Sequence, residues 1–462
     1  MRKQKKQFLA MLALLAVSAT MYASVLIADR SKPVSILQTV TEEQAFAPDT
    51  SDAAEVSWKS GSTQMTVIKE KNQWYLKDDP SFPLLQSKIS DILTEVSSLR
   101  SVRTLDPSGL QEYGLEDPAA VLRIQEADGA SHTIRIGNRS SVGEEYYLML
   151  EGQDRVILAV TKLGEMLAAD RMQYVKTESL PAMIAPVEMT VTKRDGDSFH
   201  MLKPEDPFVY SYTDYYSWFA ETEESWKPLS RGKAEDLANT VKNIKWAACV
   251  DTDCDDPGKY GLADPSVTAV ISDGSQEITV LFGDKSPDDS SYAALPGSHM
   301  VYTVKADDYE DLFTASYDTL RAEDICHMNW GTVTRMDIEA NGTVRVIEIE
   351  PQENDLSGPK YRYTEGGKEL DYDGVNEIKA MIDKMEPARQ VGTEDVRSIL
   401  AQEPVLKVSF YTEISGKERM DLSFFRYNDM YDLVSFNGET RQLISIYAAD
   451  AVIRLNDRLS DL

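Results

Sequence analysis

Tyr113-Gly114-Leu115-Glu116-Asp117-Pro118 returns 147 positions later as Tyr260-Gly261-Leu262-Ala263-Asp264-Pro265, with one mismatch in six residues. Gly permits a positive φ, Asp bonds its own backbone in a turn, and Pro opens a strand whose first position lacks a ladder donor. Each copy therefore reads as a turn between a helix and a strand, and two copies in one chain suit a folding signature better than a unique active centre.

The flanks repeat as well. Leu85, Ile89, Ile92, Leu93, Val96 and Leu99 precede the first copy at helical spacing, and Leu237, Ala238, Val241 and Ile244 precede the second. Strand-like runs at 122–124 and 133–136 flank the turn Asp128-Gly129 and end at Gly137, matched by 267–271, the turn Asp273-Gly274, 278–282 and Gly283. Runs at 146–150 and 156–160 then correspond to 292–295 and 301–304. A third, worn copy follows. Val375, Ile378, Met381, Ile382 and Met385 form its helix, Ser398-Ile399-Leu400 and Glu403-Pro404 replace the motif, and Asn437-Gly438 marks a hairpin between its later strands.

Each copy opens with paired strands, as at 66–68 with 74–76, so the predicted unit is β-β-α followed by a four-stranded antiparallel run and a short closing helix. Strands joined by hairpins around one helix define an α+β fold, not a parallel doubly wound sheet. The expected organisation is a signal-anchor transmembrane segment at 1–28, a linker at 29–54, and α+β repeats at 55–185, 186–330 and, in divergent form, 331–462.

The membrane assignment rests on charge and length. Arg2, Lys3, Lys5 and Lys6 precede 21 uncharged residues, 8–28. At ~1.5 Å per residue a helix of that length spans the hydrocarbon core, with its basic flank in the cytoplasm. The same stretch also fits a cleaved signal peptide, with small residues at Ser18, Ala19, Ala23 and Ser24. Either reading delivers the rest of the chain outside the cytoplasm, and the absence of Cys nearby excludes a lipid-modified anchor.

The 462 residues carry 48 Lys+Arg against 77 Asp+Glu, a net charge of −29, which argues against nucleic acid as a partner. Three Cys exclude a disulfide-built scaffold; Cys249 and Cys254 are close enough in sequence to bridge in an oxidising exterior, which would leave Cys326 over. Asp251, Asp253, Asp255 and Asp256 are the densest acidic cluster, but a calcium loop counted from Asp251 needs Gly and Glu where Asp256 and Leu262 stand, so a solvated loop is expected. The four His are scattered singly without a zinc spacing, and no nucleophile elbow, phosphate loop or dinucleotide glycine pattern occurs. No catalytic, metal or cofactor residue is assigned.

One difference between copies stands out. Tyr210, Tyr212, Tyr215, Tyr216, Trp218, Phe219 and Trp226 crowd into the second repeat, where the first has nothing comparable between Leu76 and Leu84. Tyr and Trp anchor interfaces and stack on sugars, so these are the candidate contacts with a partner or glycan; the alternative is a hydrophobic flap over its own domain.

The basic-flanked N-terminal helix, Trp74-Tyr75-Leu76, the two Tyr-Gly-Leu-x-Asp-Pro turns, and Gly137 and Gly283 together resemble a bacterial family known as domain of unknown function 4340 (DUF4340). The likeness covers nearly all of residues 55–320, and the third copy departs from it most. The resemblance implies an extracytoplasmic companion of ABC-2 export permeases, similar in setting to the auxiliary subunits of gliding-type ABC systems, and carries over no catalytic residue. The expectation is thus a non-enzymatic, membrane-anchored accessory protein of an ABC-type export permease. A cell-envelope glycan- or protein-binding module is the alternative, and a hydrolase is the weakest reading.

Overall fold

The computed structural model describes residues 48–459 apart from 106, 142, 356–357 and 392–395. The predicted anchor at 1–28 and the tether as far as residue 47 lie outside the described residues. Among those described, no helix is long and apolar enough to cross a membrane.

Three antiparallel sheets follow one another along the chain, and one strand order serves all three. The first holds β1 (Ala53–Ser60), β2 (Thr63–Glu70) and β3 (Gln73–Leu76), then helix α1 (Gln86–Ser97), β4 (Ser101–Leu105), β5 (Ala120–Glu126), β6 (Ser131–Arg139), β7 (Glu145–Leu150) and β8 (Val156–Val160), with α2 (Leu163–Ala168) closing the unit. Its order is β3-β2-β1-β5-β6-β7-β8-β4.

The second comprises β9 (Glu188–Lys193), β10 (Ser198–Leu202), β11 (Phe219–Glu221), β12 (Trp226–Pro228), α3 (Arg231–Lys242), β13 (Ala248–Asp251), β14 (Val267–Ser272), β15 (Glu277–Lys285), β16 (Ser291–Ala294) and β17 (Val301–Val304), closed by α4 (Glu310–Thr314) and α5 (Tyr317–Leu320). The third runs β18 (Val333–Ala340), β19 (Thr343–Asp355), β20 (Gly358–Glu365), β21 (Lys368–Glu369), α6 (Tyr372–Asp383), β22 (Arg389–Gln390), α7 (Arg397–Leu400), β23 (Leu406–Thr412), β24 (Arg419–Arg426), β25 (Tyr431–Phe436), β26 (Glu439–Ser445) and α8 (Ile446–Arg458). Both keep the first order with one strand added at the leading edge, β12 or β21.

The fold is therefore α+β with tandem antiparallel repeats, but the unit is larger than the predicted β-β-α plus four strands. An opening strand (β1, β9, β18) lies at the centre of each sheet, and a short strand after the helix (β4, β13, β22) crosses to the far edge. The first far-edge strand escapes sequence reading because a strand covered on little of its surface has no alternation to display: Val102, Arg103 and Thr104 of β4 are all exposed. In the first repeat the leading edge is closed differently. Gln86, the first residue of α1, accepts from the Trp74 N–H (2.7 Å) and donates to its carbonyl (2.9 Å), so a side-chain amide stands where the other repeats place a strand.

The helix of each unit packs on one sheet face. Ile89, Ile92 and Val96 of α1 are fully buried, as are Val375, Ile378 and Ile382 of α6, the 3-and-4 spacing of one helical stripe. Burying each such side chain contributes roughly 1.5–3 kcal/mol. The described chain divides between Thr177 and Glu178 into two compact units, the second of which contains the second and third sheets.

The repeated motif is a packing device. Gly114 and Gly261 both sit at φ +69°, the left-handed region. The next residue turns inward: Leu115 N donates to the Leu110 carbonyl (2.8 Å) and Leu262 N to that of Pro257 (2.9 Å), and both side chains are buried. The second glycine of the signature faces this turn, since a Cβ on Gly137 would lie 2.2 Å from the Tyr113 carbonyl oxygen, and one on Gly283 2.1 Å from that of Tyr260.

Strand register carries the correspondence into the third repeat. Ala120 pairs with Ile136, Val267 with Phe282, and Leu406 with Phe424. Pro404 precedes its strand as Pro118 and Pro265 do, and the position of Gly137 and Gly283 is taken by Phe425.

Candidate functional site

The aromatic stretch is an excursion between two neighbouring strands. The first repeat joins β2 to β3 through Lys71 and Asn72 alone, whereas the second leaves β10 at Leu202 and re-enters at Phe219. A loop of that length must bury its apolar groups somewhere, and it does so in two directions.

Toward its own repeat, Trp218 and Phe219 are buried, and Tyr210 tilts against Phe219 (5.6 Å) and Trp226 (5.1 Å). Trp226 in turn meets His200 edge-on at 5.3 Å. Toward the third repeat, Tyr212 packs on Phe436 of β25 at 4.9 Å, and Lys417 donates to the Phe208 carbonyl at 3.0 Å. Gln442, donating to the Glu323 carbonyl (3.3 Å), adds a second bond between these repeats. The stretch is thus a strap joining the second and third repeats, and of the seven candidate residues Tyr215 alone is exposed, at 52%.

Tyr215 lies at an open cleft of ≈ 740 Å³ where the strap, the first turn of α3 and the 323–330 connection converge. Its ring stacks on His327 with centroids 3.7 Å apart and planes 21° from parallel, and the buried Tyr216 meets it edge-on at 5.2 Å. Burial, then the nearby Asp324 carboxylate, raises the Tyr215 hydroxyl above its ordinary value. His327 Nε2 lies 3.3 Å from Asp324, Asn329 donates to Asp214 at 3.2 Å, and Lys233 pairs with Glu323 at 3.1 Å. Each acid on the wall therefore already faces a donor.

Behind the cleft, Trp330 donates its Nε1–H to Asp383 (2.6 Å), which also accepts from Met328 N (3.4 Å). One turn earlier on α6, the buried Lys379 lies 4.4 Å from the Tyr361 ring centre, 5.0 Å from that of Trp330 and 5.3 Å from that of Tyr363, while donating to the Tyr363 hydroxyl at 2.9 Å. Burial pushes the Lys379 ammonium down to about 8, against the Asp383 charge, and raises Asp383 in turn. The ring quadrupoles offset part of the desolvation.

Sequence reading picked out Tyr215 and Tyr216 but not Asp324, Asn329, Trp330, Arg231 or Lys233. The available signal was position: residues 327–330, His-Met-Asn-Trp, end at the predicted repeat boundary, where a plain linker would be apolar-poor.

Two other sequence candidates resolve differently. Cys249, Cys254 and Cys326 are all buried thiols outside any disulfide, so the Cys249–Cys254 bridge does not form; Cys249 Sγ donates to the Asp251 carbonyl (3.3 Å), and burial pushes its thiol up to about 11. In the acidic loop, Asp251 accepts from the Tyr260 hydroxyl (2.8 Å) and Asp256 from Gly258 N (3.0 Å), so two of the four acids shape the turn. Asp253, Asp255 and His299 converge within 4.8 Å as an exposed group.

These features define a class: a protein of tandem α+β repeats whose second and third members are strapped together around an open cleft. The chain belongs to the family described as Domain of unknown function (DUF4340), whose profile matches residues 74–265 and again 218–404. The two matches start at Trp74 and Trp218, in or beside the third strand of a unit, and end at Pro265 and Pro404, before the strand that pairs with the opening one. The family thus spans the junction of two repeats, twice over. No curated protein and no solved structure matches the chain.

Proposed function

We propose that this chain is a non-enzymatic accessory protein, anchored in the cell membrane by its N-terminal segment with its bulk outside the cytoplasm, and that it works with an ABC-type export permease whose cargo it holds in the cleft. The observation that carries this reading is the cleft itself: a ≈ 740 Å³ concavity with one aromatic ring presented at half exposure and each of its acids already facing a donor, the character of a binding site rather than of a proton-transfer centre. The four bases ahead of the uncharged run 8–28 support the orientation. Without residues 1–28 the chain carries 44 bases and 77 acids, −33, a surface that anionic lipid repels and that keeps the repeats off the bilayer.

Affinity purification of the full-length chain from detergent-solubilised membranes tests the reading, with co-purification of a permease expected. Retention on isolated cell wall without a permease would instead favour a cell-envelope binding module, the second reading, for which exposed Tyr215 is the specific support.

A further inference from the structure

We propose that the cleft beside Tyr215 binds an uncharged, hydroxyl-rich saccharide; this rests on the reading of the cleft as the binding site and names what it takes. Three observations select that chemistry.

The first is the platform. One face of the Tyr215 ring is covered by His327 at 3.7 Å and its side is braced by Tyr216, yet half of the residue remains exposed at the cleft. A tyrosine fixed in this way has already lost its rotamer freedom, so stacking a further ring on it costs little additional order. The C–H face of a pyranose matches a flat, electron-rich ring of this kind.

The second is the charge of the wall. Asp214, Glu323 and Asp324 stand against Arg231 and Lys233, with His327 and the hydroxyls of Tyr215 and Tyr216 as the other titratable groups on the wall. Three carboxylates oppose a phosphate, a nucleotide or an acidic sugar, whose charge would have to displace the existing pairs. Carboxylates and cations held in pairs still offer unused lone pairs and N–H groups, and a vicinal diol, as donor and acceptor at once, satisfies both.

The third is the proportion of apolar surface. Leu229 and Met328 are buried, which leaves the rings of Tyr215 and Trp330 as the apolar part of a wall otherwise made of carboxylates, amides, hydroxyls and cations. A lipid tail or apolar peptide would strand these groups unpaired, whereas a sugar has polar edges and an apolar face in the same ring.

The test uses the full-length chain in detergent, titrated with neutral tetrasaccharides (N-acetylglucosamine and glucose oligomers, β-linked) and with a galacturonate tetrasaccharide, followed by saturation-transfer NMR and calorimetry. At least one neutral oligomer is expected to bind saturably, with the galacturonate oligomer weaker by tenfold or more. Tyr215→Ala should weaken the neutral ligand about tenfold and Tyr215→Phe should leave it unchanged, because stacking and not the hydroxyl is invoked. The chemical-shift dispersion of each variant reports folding independently. No saturable binding by any neutral oligomer, equal binding by folded Tyr215→Ala, or tighter binding of the acidic oligomer would each overturn the inference. A permease that still co-purifies, and does so in a Tyr215-dependent manner, would leave the accessory-protein reading standing without it.

Discussion

The second and third repeats share one strand order but cover the outer face of the sheet with opposite solutions. In the second, Gly283 leaves a gap on β15 into which the Tyr260-Gly261-Leu262 turn settles; Tyr260 and Leu262 form a small cluster there with Cys254, Ala294 and Val301, and Tyr260 meets Tyr292 edge-on at 4.9 Å. In the third, Phe425 occupies the glycine position and fills the space itself, with Leu433 and Leu443 beside it and Ile399 and Leu400 of α7 above. The first repeat agrees with the second, stacking Tyr113 on Tyr147 at 4.8 Å. The strand glycine and the loop tyrosine-glycine-leucine are therefore one feature in two pieces of sequence, and the third repeat has lost both together.

The largest effect should come from forcing one solution onto the other. Gly283→Phe places a Cβ 2.1 Å from the Tyr260 carbonyl oxygen, a backbone atom that cannot rotate away, and adds a ring where the turn already lies. Overpacking against immobile backbone exceeds the usual 1–3 kcal/mol range, so a loss of about 4 kcal/mol or more is expected, read as a collapse of the urea midpoint of the Glu178–Leu462 unit. The reciprocal Phe425→Ala removes a ring that nothing replaces and should cost about 3 kcal/mol. If Gly283→Phe unfolds at the wild-type midpoint, the glycine and the turn are not partners.

A second difference separates the two repeats by pH. Asp432 on β25 is fully buried, and register places it opposite Arg426, as Ser291 lies opposite Lys285 in the second repeat. Burial raises the Asp432 carboxyl to about 6 from 3.8, with Arg426 at 3.0 Å opposing the rise and Asp450 adding to it. Because the folded value lies above the unfolded one, the folded state holds this proton more tightly: its contribution to stability is full below about pH 3.8 and is lost as pH climbs through 6. Asp432→Ser, the second repeat's residue, leaves Arg426 with Asp450 (3.8 Å) and should raise stability by about 2 kcal/mol at pH 7.5, with the gain vanishing toward pH 4. A pH-independent difference in denaturant midpoint between the two proteins would refute the assignment.

How far this was legible in the sequence follows from the same residues. Gly137 and Gly283, the two motif copies, and Glu403-Pro404 as the worn remnant were all visible, because glycine and proline act through backbone conformation and leave a mark at one position. The two strand glycines do not close their strands as expected, however, since β6 runs on to Arg139 and β15 to Lys285 with a register shift at the glycine. Asn437-Gly438 likewise forms the expected hairpin turn, with φ of 52° and 83°. Phe425 was not visible as a substitute for glycine. It extends an apolar run, and its equivalence emerges only when Leu406 is paired with Phe424. The strap shows the same limit: seven aromatics announce burial or contact, but which of them reach Phe436 and which face solvent depends on a neighbour more than two hundred residues along the chain.

The smallest effect sharpens the comparison most finely, because it divides the motif into conformation and space. Gly261 has φ +69°, and a Cβ there would lie 2.4 Å from the Asp284 side chain, which unlike the Tyr260 carbonyl can swing aside once its 2.8 Å bond from Arg194 is released. Gly261→Ala should therefore cost about 1–2 kcal/mol, the left-handed penalty plus a modest adjustment. In an Asp284→Ala background the clash is gone and the conformational share remains, so the further loss on adding Gly261→Ala should be about 1 kcal/mol, read by urea titration as a double-mutant cycle. Asn at 261 should cost less than Ala if φ dominates, since Asn tolerates this region. Equal costs for Ala and Asn, together with full rescue by Asp284→Ala, would mean that space, and not backbone conformation, holds glycine at this position.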